Sequence, residues 1–252
     1  MSAQTVLKSI VKPLIPEQMM QGWRRFRFER EQSRDRGRTL KAVFEEIYAT
    51  NAWAAPEDGK PFSSGPGSAA GVSDLHERFV VDYLMRHPEA VTLVDIGCGD
   101  FQVSGRILDR LAAGGRTVRY IGCDIAANVI AYNNTTHARP GVEFRVLDVS
   151  REVPPAGDIV TVREVFQHLS NDVILAAIAN LREVFDRAIV TESVHTAAKN
   201  PNVDLVSGYR TRDGLESGVF VELPPFSLPV LEEATFDWTP VEQLRTTLVA
   251  LR

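Results

Sequence analysis

Cysteine is almost missing from this 252-residue chain: Cys98 and Cys123 stand far apart and form no C-x-x-C pair. That excludes a disulfide framework and a cysteine-ligated zinc site. Long hydrophobic runs are missing too. The amino-terminal stretch VLKSIVKPLIPEQ is interrupted by Lys8, Lys12 and two prolines, so neither a membrane span nor a secretory leader is expected, and the chain reads as cytoplasmic. Basic charge is in short supply overall. With 28 Lys and Arg against 33 Asp and Glu the net charge is -5, which argues against a nucleic-acid partner held through phosphates. No G-x-x-x-x-G-K-[ST] stretch occurs either, and this excludes a P-loop.

What charge there is lies unevenly. Residues 1–40 carry nine basic and four acidic side chains, a local +5, and the remainder carries -10. The segment MQGWRRFRFEREQSRDRGR interleaves aromatic and basic residues. It reads as an arm that contacts an anion, or as a solvated helix or homodimer arm covering the rest. Residues 55–71, APEDGKPFSSGPGSAAG, are a loop by their Gly, Pro and Ser content. The chain therefore divides into residues 1–71, a basic arm with a covering helix and loop, and residues 72–252, a single catalytic-type domain.

From residue 72 onward apolar patterns alternate in type. SDLHERFVVDYLMRH has helical spacing with Ser73 as candidate N-cap. VTLVDIG, VRYIGCDI, VEFRVLDV, DIVTVREVF and RAIVTES read as strands. Between them FQVSGRILDRLAAGG, AANVIAYNNT and SNDVILAAIANLREVF read as helices, the last capped by Ser170 or Asn171. SGVFVELPPF and QLRTTLVALR read as a terminal antiparallel pair with no crossover helix between them. Nearly continuous apolar strands alternating with helices imply an α/β fold, Rossmann-like and doubly wound. The expected sheet is mostly parallel and seven-stranded, with a terminal antiparallel hairpin and an N-terminal helical covering segment. Ligands of such sheets bind beyond the carboxyl ends of the strands, where strand order reverses.

The stretch TLVDIGCGDFQVSG falls at such an end. Its Gly97 and Gly99 fit the start of G-x-G-x-x-G, but Gln102 occupies the third glycine position. What remains is D-x-G-x-G after a first strand. Asp124 ends the second strand in YIGCD, 29 residues after Asp95, where a carboxylate accepts ribose hydroxyls. Asp148 ends the third strand in RVLDV, and REVFQHLS follows the fourth.

On these features residues 72–195 resemble the class I S-adenosylmethionine-dependent methyltransferases. The resemblance implies a glycine turn beneath the methionine part of the cofactor, which has no pyrophosphate. It implies a cofactor site of Asp95, Gly97, Gly99, Asp124, Ile125, Asp148, Val149 and Glu164, with Asp148 reaching the adenine amino group. The alternative is a nicotinamide-dinucleotide domain with a degenerate fingerprint, for which the terminal hairpin leaves no second mononucleotide unit. A non-catalytic scaffold of the same fold is a third reading.

Methyl transfer needs an acceptor aligned with the methyl group and, for an alcohol, a group that takes its proton. His168, in FQHLS, is the candidate base or else a structural histidine; Glu164 orients the base or binds the cofactor. Glu192 and His195, with Asp204, form a candidate divalent-cation set such as magnesium takes, although the spacing specifies no metal. Tyr48, Trp53 and Tyr209 offer flat faces, and Asp204, Arg210, Arg212 and Asp213 offer hydrogen bonds, which suits a polyhydroxylated acceptor; Glu192 and His195 are further candidates for binding it. The F-x-x-I-Y, N-x-W, S-G-P-G-S and P-P-F stretches resemble bacterial sugar and polysaccharide O-methyltransferases, including the actinobacterial type acting on methylated mannose oligosaccharides. Ala54 stands where that type has Gly. The expectation is methyl transfer to a saccharide hydroxyl, the alternative acceptor being a small natural product or lipid-linked metabolite. The N/D-P-P-[YF] signature of amino-group methylation is missing after the fourth strand.

Overall fold

The structure, a computed structural model, describes residue 30, residues 33–56 and residues 59–252. Most of the basic arm expected at the amino terminus lies outside the described residues. Helix α1 (Leu40–Ala49) is capped by Thr39, whose hydroxyl accepts from Ala42 N, and it buries Val43, Phe44, Ile47 and Tyr48. Helix α2 (Ala70–Arg86) starts earlier than its periodicity suggests. Ser73 is not its cap but lies inside it, donating to Ala69 O and to the buried Glu77 carboxylate.

Strand β1 (Thr92–Ile96), α3 (Gln102–Ala113), β2 (Arg119–Asp124), α4 (Ala127–Thr136), β3 (Val142–Val146) and β4 (Ile159–Arg163) then alternate as expected. They are followed by α5 (Asn171–Arg182), with Ser170 at its cap position, and β5 (Arg187–His195). The chain ends in β6 (Val230–Asp237) and β7 (Glu242–Ala250). The sheet order is β3-β2-β1-β4-β5-β7-β6, the first five strands parallel and the last two antiparallel to their neighbours. Its core runs from Leu93 and Val94 through Ile121, Val160 and Val162 to Ile189 and Val249, all buried between helices on two faces.

The terminal hairpin is present but shifted along the chain. SGVFVELPPF makes one isolated bridge, Val194 to Gly218, and the strand expected there lies instead at Val230–Asp237. Pro224 and Pro225 have no N–H to give a ladder, and Gly218 crosses β5 so closely that a methyl group on it would sit 2.7 Å from Val194 Cα. Residues 196–229 thus cross over the carboxyl edge as an irregular segment. Among the described residues no helix is long and apolar enough to cross a membrane.

Strand order reverses between β1 and β4. The turns after those strands open into a cavity of about 360 Å³, roofed by α1, Trp53 and residues 64–68 on one side and by residues 209–211 and Asp213 on the other.

Candidate active site

The glycine turn is held by the backbone of the neighbouring strand. Gly97 N and Cys98 N both donate to Cys123 O, at 2.7 and 3.0 Å, and Gly99 O accepts from Asn133 Nδ2 at 2.7 Å. Gly97 and Gly99 have φ of +74° and +52°, a region that disfavours side chains. Space forbids them as well: a methyl group on Gly97 would collide with Val165, and one on Gly99 with the Ser64 hydroxyl. Ser64 belongs to the covering segment and exchanges two hydrogen bonds with Asp100, which also accepts from Gln102 Nε2. The residue standing in place of a third glycine thus buttresses the turn.

Asp124 is 7% exposed and faces the cavity, its two oxygens accepting from Gly99 N (3.1 Å) and Ala126 N (2.9 Å). Burial pushes its carboxyl up to about 6, against the pull of those donors. Asp95 lines the same wall, but its carboxylate accepts from Ser104, Tyr120 and Thr161, at 2.5, 2.8 and 2.9 Å. It ties β1 to β2, β4 and α3, and burial raises its carboxyl. Ile125, Asp148 and Val149 border the cavity; Asp148 Oδ1 accepts from both N and Oγ of Ser150.

Beyond β4 the chain makes a short helical turn, Phe166–His168, that presents His168 to the cavity. His168 is 9% exposed, its ring centroid 5.2 Å from that of Trp53, and its Nδ1 has no partner. Burial lowers its pKa to about 4, partly offset by the backbone of residues 208–210, so the ring is neutral near pH 7. Glu164 enters this turn with φ of +52°, its carboxylate 3.0 Å from Arg163 and pressed against Gly67, where a Cβ would clash.

Two expected site residues lie elsewhere. Glu192 is 2% exposed and does not border the cavity; its oxygens accept from the backbone N–H groups of Val165, Phe166 and Gln167. Its carboxyl is the acceptor on which the His168 turn is built, and burial pushes that carboxyl up to about 8. His195 does not reach the cavity either, because its Nδ1 accepts from Ala197 N. Asp204 accepts from Asn171 N and Leu205 N, so Glu192, His195 and Asp204 form no cation site; among the described residues no group of three such side chains could hold a metal ion.

Of the other residues expected at the acceptor, Trp53, Tyr209 and Arg210 do border the cavity. Tyr48 borders it too, on the glycine-turn side, packed edge-on against Trp53 and Phe62 with its hydroxyl near Gly99.

Arg212, expected to offer hydrogen bonds to the acceptor, does not border the cavity and serves the backbone instead. It is 1% exposed and donates to the carbonyls of Val203, Phe166, Gln167 and Leu169 and to Asn171 Oδ1. The turn carrying His168 is therefore gripped by Glu192 through its N–H groups and by Arg212 through its carbonyls. Ser193, Asp213, Trp238 and Glu242 complete the far side of the cavity. Strand alternation alone would have found Ser193, since 191, 193 and 195 share one face of β5. Trp238 and Glu242 needed the register of the terminal hairpin.

Residues 94–187 match the model of a family described as a methyltransferase domain. No curated protein sequence matches the chain. Among solved structures, magnesium protoporphyrin IX methyltransferase from Synechocystis with bound SAH is similar at a TM-score of 0.56 and 13% identity, covering 83% of this chain and 99% of that one. The same enzyme with bound SAM gives 0.53 and 12%, covering 85% and 99%. DhpI in complex with SAH gives 0.49 and 14%, covering 84% and 97%. With its central segment matching that family and its seven strands in this order, the chain has the Rossmann-like fold of the class I methyltransferases.

Proposed function

We propose that this protein is an S-adenosylmethionine-dependent methyltransferase that methylates a hydroxyl group of a small-molecule acceptor. The observation that carries this reading is a neutral imidazole, His168, whose Nδ1 has no partner and which borders the same cavity as the glycine turn and Asp124. In this reading residues 72–252 form the catalytic domain and the preceding residues cover it.

The residues present fit the cofactor. Gly97 and Gly99 keep the turn bare where a side chain would fill the space, Asp124 turns a carboxylate toward the cavity for ribose hydroxyls, and Asp148 stands at the end of β3 for the adenine amino group. When bound, the cofactor supplies an already activated methyl group, so the protein has to orient the acceptor and deal with its proton. His168 Nδ1 takes the hydroxyl proton as the oxygen gains its methyl group, and releases it to solvent afterwards. Trp53 fixes the imidazole plane, and Glu192 and Arg212 fix the turn beneath it.

A saccharide acceptor is the finer form of this reading. It is supported by the aromatic faces of Trp53 and Tyr209 among hydrogen-bonding side chains. Calorimetric titration with S-adenosylmethionine, S-adenosylhomocysteine and NAD tests the enzyme class. The first two should bind and NAD should not; binding of NAD sinks the proposal in favour of the nicotinamide-dinucleotide reading, and binding of none of the three sinks it in favour of the scaffold reading.

A further inference from the structure

We propose that the half of the cavity away from the glycine turn is a subsite for a protonated amine on the acceptor, received by Asp213, Glu242 and Ser193 beside Trp238. This rests on the methyltransferase reading and narrows its substrate class. The two carboxylates come from distant places in the chain, Asp213 from the short helical turn Arg212–Leu215 and Glu242 from the first position of β7, yet both border the same cavity. Among the described residues neither forms an ion pair. Asp213 accepts from the Thr211 hydroxyl at 2.7 Å, and Glu242 has a long 3.5 Å contact to Thr239.

Burial raises the pKa of both carboxyls, and mutual repulsion adds to it: the Asp213 charge acts on Glu242, and that of Glu164 acts on both. The nearby His195 offsets this only in part. Glu164 is answered by Arg163, which leaves the other two anions without a fixed countercharge among the described residues.

A second observation points independently to a ligand here. Ser193 is 3% exposed, borders the cavity and has no partner for its hydroxyl. It lies on the face of β5 that also carries His195, and His195 pairs with Glu242 across the ladder. A buried hydroxyl is rarely left without a partner, so its vacancy marks a place where an outside group bonds. The groups that meet here are two carboxylates, one hydroxyl and the indole of Trp238. Carboxylates only accept hydrogen bonds, and an indole face attracts cations. A primary ammonium brings three N–H donors and the missing positive charge, whereas a neutral hydroxyl leaves the repulsion between Asp213 and Glu242 in place. An amino sugar meets this requirement and the saccharide reading together.

The test uses the full chain saturated with S-adenosylhomocysteine, titrated with two matched pairs: glucosamine against glucose, and tyramine against 4-ethylphenol. At least one amine should bind about tenfold or more tighter than its neutral counterpart, as a desolvated charge pair implies. The double variant Asp213→Asn, Glu242→Gln should erase that preference and leave S-adenosylhomocysteine affinity unchanged. Ser193→Ala, which alters no charge, should weaken amine binding several-fold and serves if the double variant fails to fold. Equal binding of amines and neutral counterparts, or no binding of either amine, overturns the proposal. So does a double variant that keeps the preference, or one that loses S-adenosylhomocysteine, since the carboxylates would then serve the cofactor. Failure of S-adenosylhomocysteine to bind the unaltered chain is a different result: it overturns the enzyme reading, and this subsite with it.

Discussion

Along the wall formed by β1, β2 and β3, the cavity is shaped by backbone groups and by residues a few positions from a strand end, such as Gly97, Gly99 and Asp124. Across from it stand Trp53, Asp213, Trp238 and Glu242, drawn from three separate stretches that span most of the chain. The first wall repeats one device, a strand ending in a turn whose N–H groups are already spoken for. The second depends on which surface segments fold over the edge and what side chains they carry. Cofactor chemistry suits the first kind of construction, because one ligand is bound whatever the acceptor. Acceptor chemistry suits the second, because covering segments can change without disturbing the sheet.

The sharpest way to separate the two walls is to remove the group that stands between them. His168→Asn should lower turnover by about 10²–10⁴-fold while leaving S-adenosylhomocysteine affinity intact. A variant that loses affinity and turnover together would put His168 on the cofactor wall and spoil the division. Next in size is a stability effect confined to the second wall. Arg212→Met nearly keeps the side-chain volume but leaves several buried carbonyls without donors, a loss of about 3–5 kcal/mol measurable by urea denaturation.

The smallest expected effect belongs to the first wall. Asp124→Asn should weaken S-adenosylmethionine binding by about 1.5–3 kcal/mol, the usual worth of hydrogen bonds to a charged group. The pH dependence follows from the same carboxyl. Because burial holds it up to about 6, it is ionised and acceptor-only above that pH and protonated below it. Affinity should therefore be flat above pH 7 and fall as pH drops through 6, and the Asn variant should lose that dependence. A calorimetric pH series on both proteins checks it.

How legible each wall was in the sequence follows from the same contrast. Gly97, Gly99, Asp124 and Asp148 were marked in advance because strand-end positions are set by local pattern, and each borders the cavity. Glu192 and His195 were misplaced, the second by a boundary. Taken as ending at Ser193, the fifth strand left His195 beyond it, whereas it continues to His195; Glu192 lies inside the strand on either reading, and alternation turns it to the opposite face from Ser193. Arg212 was marked only as a hydrogen-bonding residue of a covering loop, because a surface-type residue in a polar loop gives no sign that it will be buried against carbonyls more than forty positions away. The shifted terminal strand had the clearest warning, since Pro224 and Pro225 already argued against a ladder.

Gly67 and Glu164 touch so closely that a single added methyl group would overlap the carboxylate. Gly67 lies in the covering segment and Glu164 at the end of β4, 97 positions apart. Drift at one is therefore not free of the other. A lineage that enlarges residue 67 must shorten or redirect the side chain at 164 in the same step or soon after. Such paired change between a roof and a floor is the mark by which relatives sharing this acceptor side would be told from those sharing only the sheet.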